Sequence, residues 1–127
     1  MVTPMPPAAT LRPFADAIDA QDWDTLRTLL APDFHGLFVH DGRTFDADSF
    51  VAFQRDYPGR WRFEMVEHVG SGDRVVARSR VSDGEQVFGV ATFATLTDGL
   101  VSDLVEVWTE AVTGPGGALR VRNTAVT

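Results

Sequence analysis

The clearest strand pattern of the chain is Leu100-Val101-Ser102-Asp103-Leu104-Val105-Glu106-Val107-Trp108-Thr109-Glu110. Side chains of a strand point alternately to its two faces. One face therefore carries Ser102, Leu104, Glu106, Trp108 and Glu110, and the other carries Val101, Asp103, Val105, Val107 and Thr109. Because both faces hold apolar side chains, we expect both to be covered.

Glu106 is an acidic residue between two apolar neighbours on the same face, Leu104 and Trp108. A buried acid must be hydrogen-bonded, paired with a cation or protonated. Glu106 is therefore the first candidate functional residue, and the sequence predicts a pocket around it.

The composition is that of one globular domain. The chain has 127 residues, of which 44% are hydrophobic, and no cysteine. The absence of cysteine excludes disulfides, thiolate catalysis and cysteine zinc sites. A net charge of −7 argues against a nucleic-acid or anionic-membrane surface. No apolar run approaches the roughly 18 residues of a membrane span, and residues 1–7 lack the features of a signal peptide. We expect a cytoplasmic protein.

Two short amphipathic helices are predicted at the start of the domain. In the first, Leu11, Phe14 and Ile18 recur at helical spacing, and Thr10 is placed to cap it. The second begins after Asp22 as N-cap, and Pro32 is predicted to end it. Its apolar stripe consists of Trp23, Leu26, Leu29 and Leu30.

A strand, a turn and a third helix follow. Residues 34–40 are rich in aromatic and β-branched side chains, which predicts a strand. The turn at Asp41-Gly42 leads into a short returning strand over residues 43–45. Asp46 or Asp48 can cap the third helix. Its apolar positions are Phe50, Phe53 and Tyr57, and Pro58-Gly59 ends it.

Four strands are predicted in the second half of the chain, over residues 61–69, 75–81, 86–97 and 100–110. Short turns rich in Gly, Asp and Ser join them, so successive strands should pair antiparallel as a meander. Helices followed by strands make an α+β domain. We expect residues 1–9 to be a disordered lead-in, residues 10–112 the domain and residues 113–127 a loose tail, in which residues 119–122 can add a little strand.

The predicted sheet must curl around the three helices to bury Phe14, Trp23, Phe50 and Phe53. A curled antiparallel sheet with helices on its concave face leaves a cavity between them, where small-molecule sites occur. The outer face of the sheet would carry Val105 and Val107. Because an exposed apolar patch usually marks an interface, we expect a homodimer through the sheet.

Four short segments stand at the junctions and ends of these elements, in this order: Ala20-Gln21-Asp22-Trp23-Asp24, Leu30-Ala31-Pro32-Asp33-Phe34, Asp98-Gly99-Leu100-Val101 and Val105-Glu106-Val107-Trp108. With these segments, the order of elements resembles the nuclear transport factor 2-like superfamily, and within it the SnoaL-like, polyketide cyclase-like small proteins. The resemblance covers residues 11–110. It implies a cone-shaped, cystatin-like α+β barrel and a fold that hosts isomerases, cyclases, epoxide hydrolases, dehydratases and non-catalytic binding domains.

The resemblance to ketosteroid isomerases does not extend to their mechanism. Those enzymes use a tyrosine donor on the first helix, an aspartate base on the first strand and a protonated acid in the sheet. Aligned with this chain, these positions are Phe14, Phe38 and Ala91. None of the three side chains can donate or accept a proton.

Two other members of the superfamily match better. Limonene-type epoxide hydrolases use an acid–arginine–acid set, which is similar to Arg80 with Glu106 here, but Ser82 replaces one of the acids. SnoaL-like cyclases use a single carboxylate in a mostly apolar cavity. That pattern implies Glu106 as the acid/base, and we expect Arg80 to be its ionic partner. The alternative to a catalytic pair is that Glu106 and Arg80 form only a structural ion pair between strands.

The remaining candidates are ligand-binding side chains. We expect them along the cavity wall, with Tyr57 as a lid and His40 at the rim. For the aromatic side chains among them, packing in the core is the alternative to lining the cavity. The candidates are Phe14, Phe38, His40, Phe53, Tyr57, Ser82 and Trp108. The three histidines, His35, His40 and His68, do not have a metal-ligand spacing, so we expect no metal. We also expect no cofactor.

The sequence thus predicts a homodimeric domain that binds a small apolar molecule. Its predicted chemistry is proton transfer, as in cyclisation, isomerisation or dehydration, with Glu106 and Arg80 as catalytic residues. The alternatives are a non-catalytic domain that binds a ligand or partner in the same cavity, and an epoxide hydrolase-like enzyme.

Overall fold

The computed structural model describes residues 10–110 and the backbone of residues 112–113. The predicted lead-in, and the predicted tail beyond residue 113 with its short strand over residues 119–122, lie outside the described residues. No helix within the described part is long and apolar enough to cross a bilayer.

Three helices and a single mixed sheet make up the described chain. The helices are α1 Arg12–Ala20, α2 Trp23–Thr28 and α3 Ala47–Asp56. The strands are β1 Leu30–Phe38, β2 Arg43–Phe45, β3 Arg62–Ser71, β4 Arg74–Ser82, β5 Gln86–Thr97, β6 Leu100–Trp108 and β7 Val112–Thr113. The sheet has the order β2-β1-β6-β5-β4-β3, and β7 pairs with β5.

Side-chain caps begin α2 and α3, whereas the predicted cap of α1 is wrong: its N-cap is Leu11, which makes no side-chain hydrogen bond, and the Thr10 hydroxyl only accepts from the Arg12 N–H at 3.1 Å. Asp22 caps α2, and its carboxylate accepts from the Thr25 N–H at 3.2 Å and from the Thr25 hydroxyl at 2.7 Å. Of the two candidates for α3, Asp46 is the cap. It forms a reciprocal capping box with Ser49, with bonds of 2.8 and 3.0 Å. Asp48 instead accepts from the Arg27 guanidinium at 2.8 Å.

The predicted helix end at Pro32 is wrong. Helix α2 ends at Thr28, and Pro32 lies within β1, which spans Leu30–Phe38 instead of residues 34–40. The pairing of β1 with β6 is irregular between Leu30 and His35. Since a proline has no N–H for the ladder, this irregular segment is a place where a strand tolerates it.

The meander of β3 to β6 is antiparallel, as predicted. Strand β1 adds to it by pairing parallel to β6, with Phe38 beside Glu106. The resulting curved sheet is covered on one face by the three helices, which confirms the predicted α+β cone. We call the other side the outer face.

The core lies between the helices and the sheet and is largely aromatic. The Phe50 ring is completely buried, and its centroid lies 5.4 to 6.4 Å from those of four other phenylalanines. These neighbours are Phe14, Phe34, Phe38 and Phe45. Of the side chains predicted to be buried, Phe14 and Phe50 are buried, whereas Trp23 and Phe53 are only partly so.

Candidate ligand-binding cavity

A cavity of about 720 Å³ opens where the ends of the helices meet the ends of β1 and β6. Its floor is made by buried apolar side chains, among them Ile18, Phe63 and Val81. Exposed, mostly polar side chains form its rim. The residues that line it are Ile18, Gln21, Trp23, Phe38, His40, Asp41, Arg43, Phe53, Gln54, Arg55, Tyr57, Gly59, Arg60, Trp61, Phe63, Val81, Phe88, Trp108, Thr109 and Glu110.

Six aromatic rings on the cavity wall form a closed circle of contacts, in which each ring contacts the next and the last contacts the first. Each ring centroid lies 5.5 to 6.3 Å from the next, within the range of favourable aromatic pairs. We call these rings the aromatic belt. In order, its members are Phe38, Phe53, Tyr57, Trp61, Phe88 and Trp108.

The rim carries both signs of charge. The His40 ring stacks on Phe38 at 5.8 Å, and its Nε2 atom lies 3.6 Å from the Asp41 carboxylate. Arg43 lies 3.6 Å from the same carboxylate, and its guanidinium is 5.0 Å from the centroid of Phe53. Arg55, Arg60 and Glu110 complete the charged rim.

Glu106 is buried, as its two apolar neighbours predict, with an exposed fraction of 2%. Its Oε2 atom accepts a hydrogen bond of 2.8 Å from the Thr92 hydroxyl. Burial raises the pKa of Glu106 to about 7, against the opposing effects of Thr92 and of the Trp108 indole. The Trp108 Nε1 atom nevertheless has no partner at hydrogen-bonding geometry. We therefore treat the indole as a nearby dipole that lowers the pKa of Glu106 without a full hydrogen bond.

Glu106 lies behind the cavity wall. It is absent from the lining, although Phe38, beside it in register, and Trp108, two residues further on, are both members of the belt. Its carboxyl group is thus covered by neighbouring side chains and is not part of the cavity surface.

The predicted pair of Glu106 with Arg80 is wrong. Thr92 is in register with Glu106 on β6 and with Ala77 on β4, so these three side chains share the helix-covered face. Arg80, three residues after Ala77, therefore points to the outer face. There its guanidinium donates to Glu64 at 3.4 Å and to the Ser82 hydroxyl at 3.3 Å.

Five of the seven predicted ligand-binding residues line the cavity, namely Phe38, His40, Phe53, Tyr57 and Trp108. The other two do not. Phe14 packs in the core against Phe50, with 6.0 Å between ring centroids. Ser82 is a buried residue beside a smaller cavity of about 340 Å³.

Ala91, which the resemblance aligns with the acid of ketosteroid isomerases, does not point to the cavity side of the sheet. Ala91 is in register with Arg78 and Val107, two exposed residues, and so belongs to the outer face. The residue that reaches the helix-covered face next to it is Thr92, the hydrogen-bond donor to Glu106.

Sequence reasoning missed Phe88 and the three rim arginines, Arg43, Arg55 and Arg60. Phe88 shares strand parity with Val90 and Thr92, both buried, so the alternation along β5 could have identified it. Arg43 begins the three-residue strand β2, Arg55 is in the last turn of α3 and Arg60 is in a loop, and none of these positions is long enough in pattern to predict where the side chain points. Their convergence is visible only in the fold.

A model of the SnoaL-like domain matches residues 11–104. The match spans most of the chain, which therefore belongs to the SnoaL-like domain family. No curated protein matches the sequence significantly.

Solved structures with this fold include proteins assigned to several activities. One, a proposed ketosteroid isomerase from Kribbella flavida, is 22% identical with a TM-score of 0.75, and the match covers 87% of this chain and 82% of that one. A proposed polyketide cyclase from Streptomyces antibioticus is 16% identical with a TM-score of 0.67, over 77% and 88% of the two chains. An LEH-like epoxide hydrolase from M. tuberculosis is 19% identical with a TM-score of 0.65, over 78% and 79%. At these identities the likeness establishes the fold.

Proposed function

We propose that this SnoaL-like domain binds a small, largely apolar ring compound inside the aromatic belt. The observation that carries the proposal is the belt itself, in which six rings on the wall of one cavity each contact the next. A volume of about 720 Å³ suits a drug-sized molecule. An apolar wall with polar groups confined to the rim favours a ligand whose ring system is enclosed and whose polar end is at the opening.

Replacing Phe88 with alanine should weaken the binding of a neutral aromatic probe, N-phenyl-1-naphthylamine, about tenfold. The reason is the loss of one ring contact, worth up to about 1.5 kcal/mol. Phe88 contacts Trp61 and Trp108 at 5.5 and 6.3 Å, so its ring is continuous with the rest of the belt. Titration by probe fluorescence, with a thermal melt to confirm folding, measures the effect.

The matched control is Phe93→Ala on the same strand. Phe93 is 41% exposed and points to the outer face. Its truncation should leave the dissociation constant of the probe unchanged. Equal affinities in the parent, the Phe88→Ala variant and the Phe93→Ala variant would contradict binding in the belt.

Proton transfer by Glu106 and Arg80 is not part of this proposal. A general acid or base must come within hydrogen-bonding reach of the ligand, whereas Glu106 lies behind the wall and Arg80 on the outer face. Among the lining residues, His40 is the group best placed for such chemistry, because its imidazole is stacked on Phe38 beside Asp41. The epoxide-hydrolase alternative loses its acid–arginine–acid set for the same geometric reason.

We further propose that two copies of the chain associate through the outer face. Val76, Phe93 and Val107 are each 41 to 44% exposed there and lie on three adjacent strands. Arg74 and Asp103 stand level with each other on opposite sides of β5. A two-fold axis along β5 would place Arg74 of each copy over Asp103 of the other and Phe93 over Phe93, so the patch is complementary to itself.

Sedimentation at tens of micromolar should therefore give a dimer for the parent chain. Phe93→Lys should give a monomer, because it places two like charges at the axis. The control is Ala20→Lys, which adds a positive charge at an exposed residue of α1, on the helix-covered side of the sheet, and it should remain dimeric. A monomeric parent, or a dimeric Phe93→Lys variant, would contradict the proposed interface.

A further inference from the structure

Three arginines line the rim of the cavity, Arg43, Arg55 and Arg60, beside two carboxylates, Asp41 and Glu110. The Asp56 carboxylate, which is bonded to Arg55, is a third anionic group next to this rim. Cationic side chains thus lie at the opening, where a polar end of the ligand would be.

Two of the three arginines already have partners. Arg43 is 3.6 Å from Asp41 and lies over the face of Phe53. Arg55 donates twice to the Asp56 carboxylate, at 3.0 and 3.3 Å. Arg60 has no ion-pair partner within the part of the chain that the structure describes, and so it is the cation available to a ligand.

The backbone holds Arg60 next to the belt. The preceding turn is closed by the Trp61 indole, whose N–H donates to the Pro58 carbonyl at 2.8 Å. Gly59 has a φ of +99°, and a Cβ atom there would lie 2.9 Å from the Trp61 Nε1 atom. The turn thus requires glycine, and it places the arginine directly before a ring of the belt.

We infer that the ligand is an acidic ring compound, with its ring system in the aromatic belt and a single anionic group, such as a carboxylate, on Arg60. The planar guanidinium of an arginine can donate two parallel hydrogen bonds to a carboxylate or sulfonate. The inference rests on the proposed function, since it names the chemical class of the ligand of the same cavity.

Two probes with the same rings test it. N-phenyl-1-naphthylamine is neutral, and 8-anilino-1-naphthalenesulfonate is the same molecule with one sulfonate. Both are titrated by fluorescence against the parent, Arg60→Gln and Arg12→Gln. Arg12 is an exposed residue of α1 away from the cavity, and its replacement makes the same change in net charge. The fluorescence of a probe bound in the cavity is identified by the Phe88→Ala variant, in which the affinity for that probe should fall.

We expect Arg60→Gln to raise the dissociation constant of the sulfonate about fivefold, the upper end for an exposed ion pair, and to leave that of the neutral amine unchanged. Arg12→Gln should change neither dissociation constant. If both probes bind and Arg60→Gln affects them equally, the acidic-ligand inference is overturned while the binding function stands. If neither probe binds, the proposed function fails and this inference fails with it.

Discussion

Replacing Glu106 with glutamine should remove a pH dependence of about 3 kcal/mol from the free energy of unfolding. The pKa of this carboxyl is about 7 in the fold, against an ordinary value of 4.5. Below pH 4.5 the carboxyl is protonated in both the folded and the unfolded chain. Between pH 4.5 and 7 only the folded chain keeps the proton, so stability falls as the pH rises, by about 1.4 kcal/mol per pH unit. Above pH 7 the carboxyl is ionised in both states, so the free energy of unfolding no longer changes with pH through this group.

Urea unfolding of the parent and Glu106→Gln at pH 4.5, 6, 7 and 8 measures this effect. The difference in free energy between the two proteins should shift in favour of the variant across that range. Glu85→Gln is the control, because it makes the same change of side chain at an exposed position in the turn before β5. Parallel pH profiles for the parent and Glu106→Gln would mean that folding does not raise the pKa of Glu106.

Truncation of Phe50 to alanine should cost about 3 to 5 kcal/mol of stability. Phe50 is completely buried and contacts four other phenylalanine rings. Removing it leaves a cavity where α3 packs on the sheet, and the surrounding rings can fill that cavity only partly. Since a domain of this size is stable by about 5 to 15 kcal/mol in total, the loss is a large fraction of the free energy of unfolding. Thermal or urea denaturation measures the loss.

Tyr57→Ala is the comparison for this prediction. Tyr57 follows the same helix and contacts Phe53 and Trp61, but it is 47% exposed. Its truncation leaves no enclosed cavity, so we expect a cost of about 1 kcal/mol. A Phe50→Ala variant as stable as Tyr57→Ala would show that α3 is not anchored through Phe50.

The cavity wall was only partly predictable from sequence. Alternation along the last strand placed Leu104, Glu106 and Trp108 on one face, and Glu106 is buried as that pattern predicted. The same reasoning failed for Arg80, because the side of the sheet to which a residue points depends on its register with the neighbouring strands. A single-residue error in aligning β4 with the rest moves a side chain from the cavity face to the outer face.

The sequence by itself determined the order of helices and strands, the cap at Asp22 and the turns of the meander. Each of these depends on residues close together in the chain, through periodicity, side-chain-to-backbone hydrogen bonds and turn propensity. Only the tertiary structure decided that β1 pairs parallel to β6, that six rings from separate segments close into a belt, and that Glu106 lies behind that belt. These features depend on contacts between residues far apart in the chain, and no local pattern encodes which distant side chains will meet.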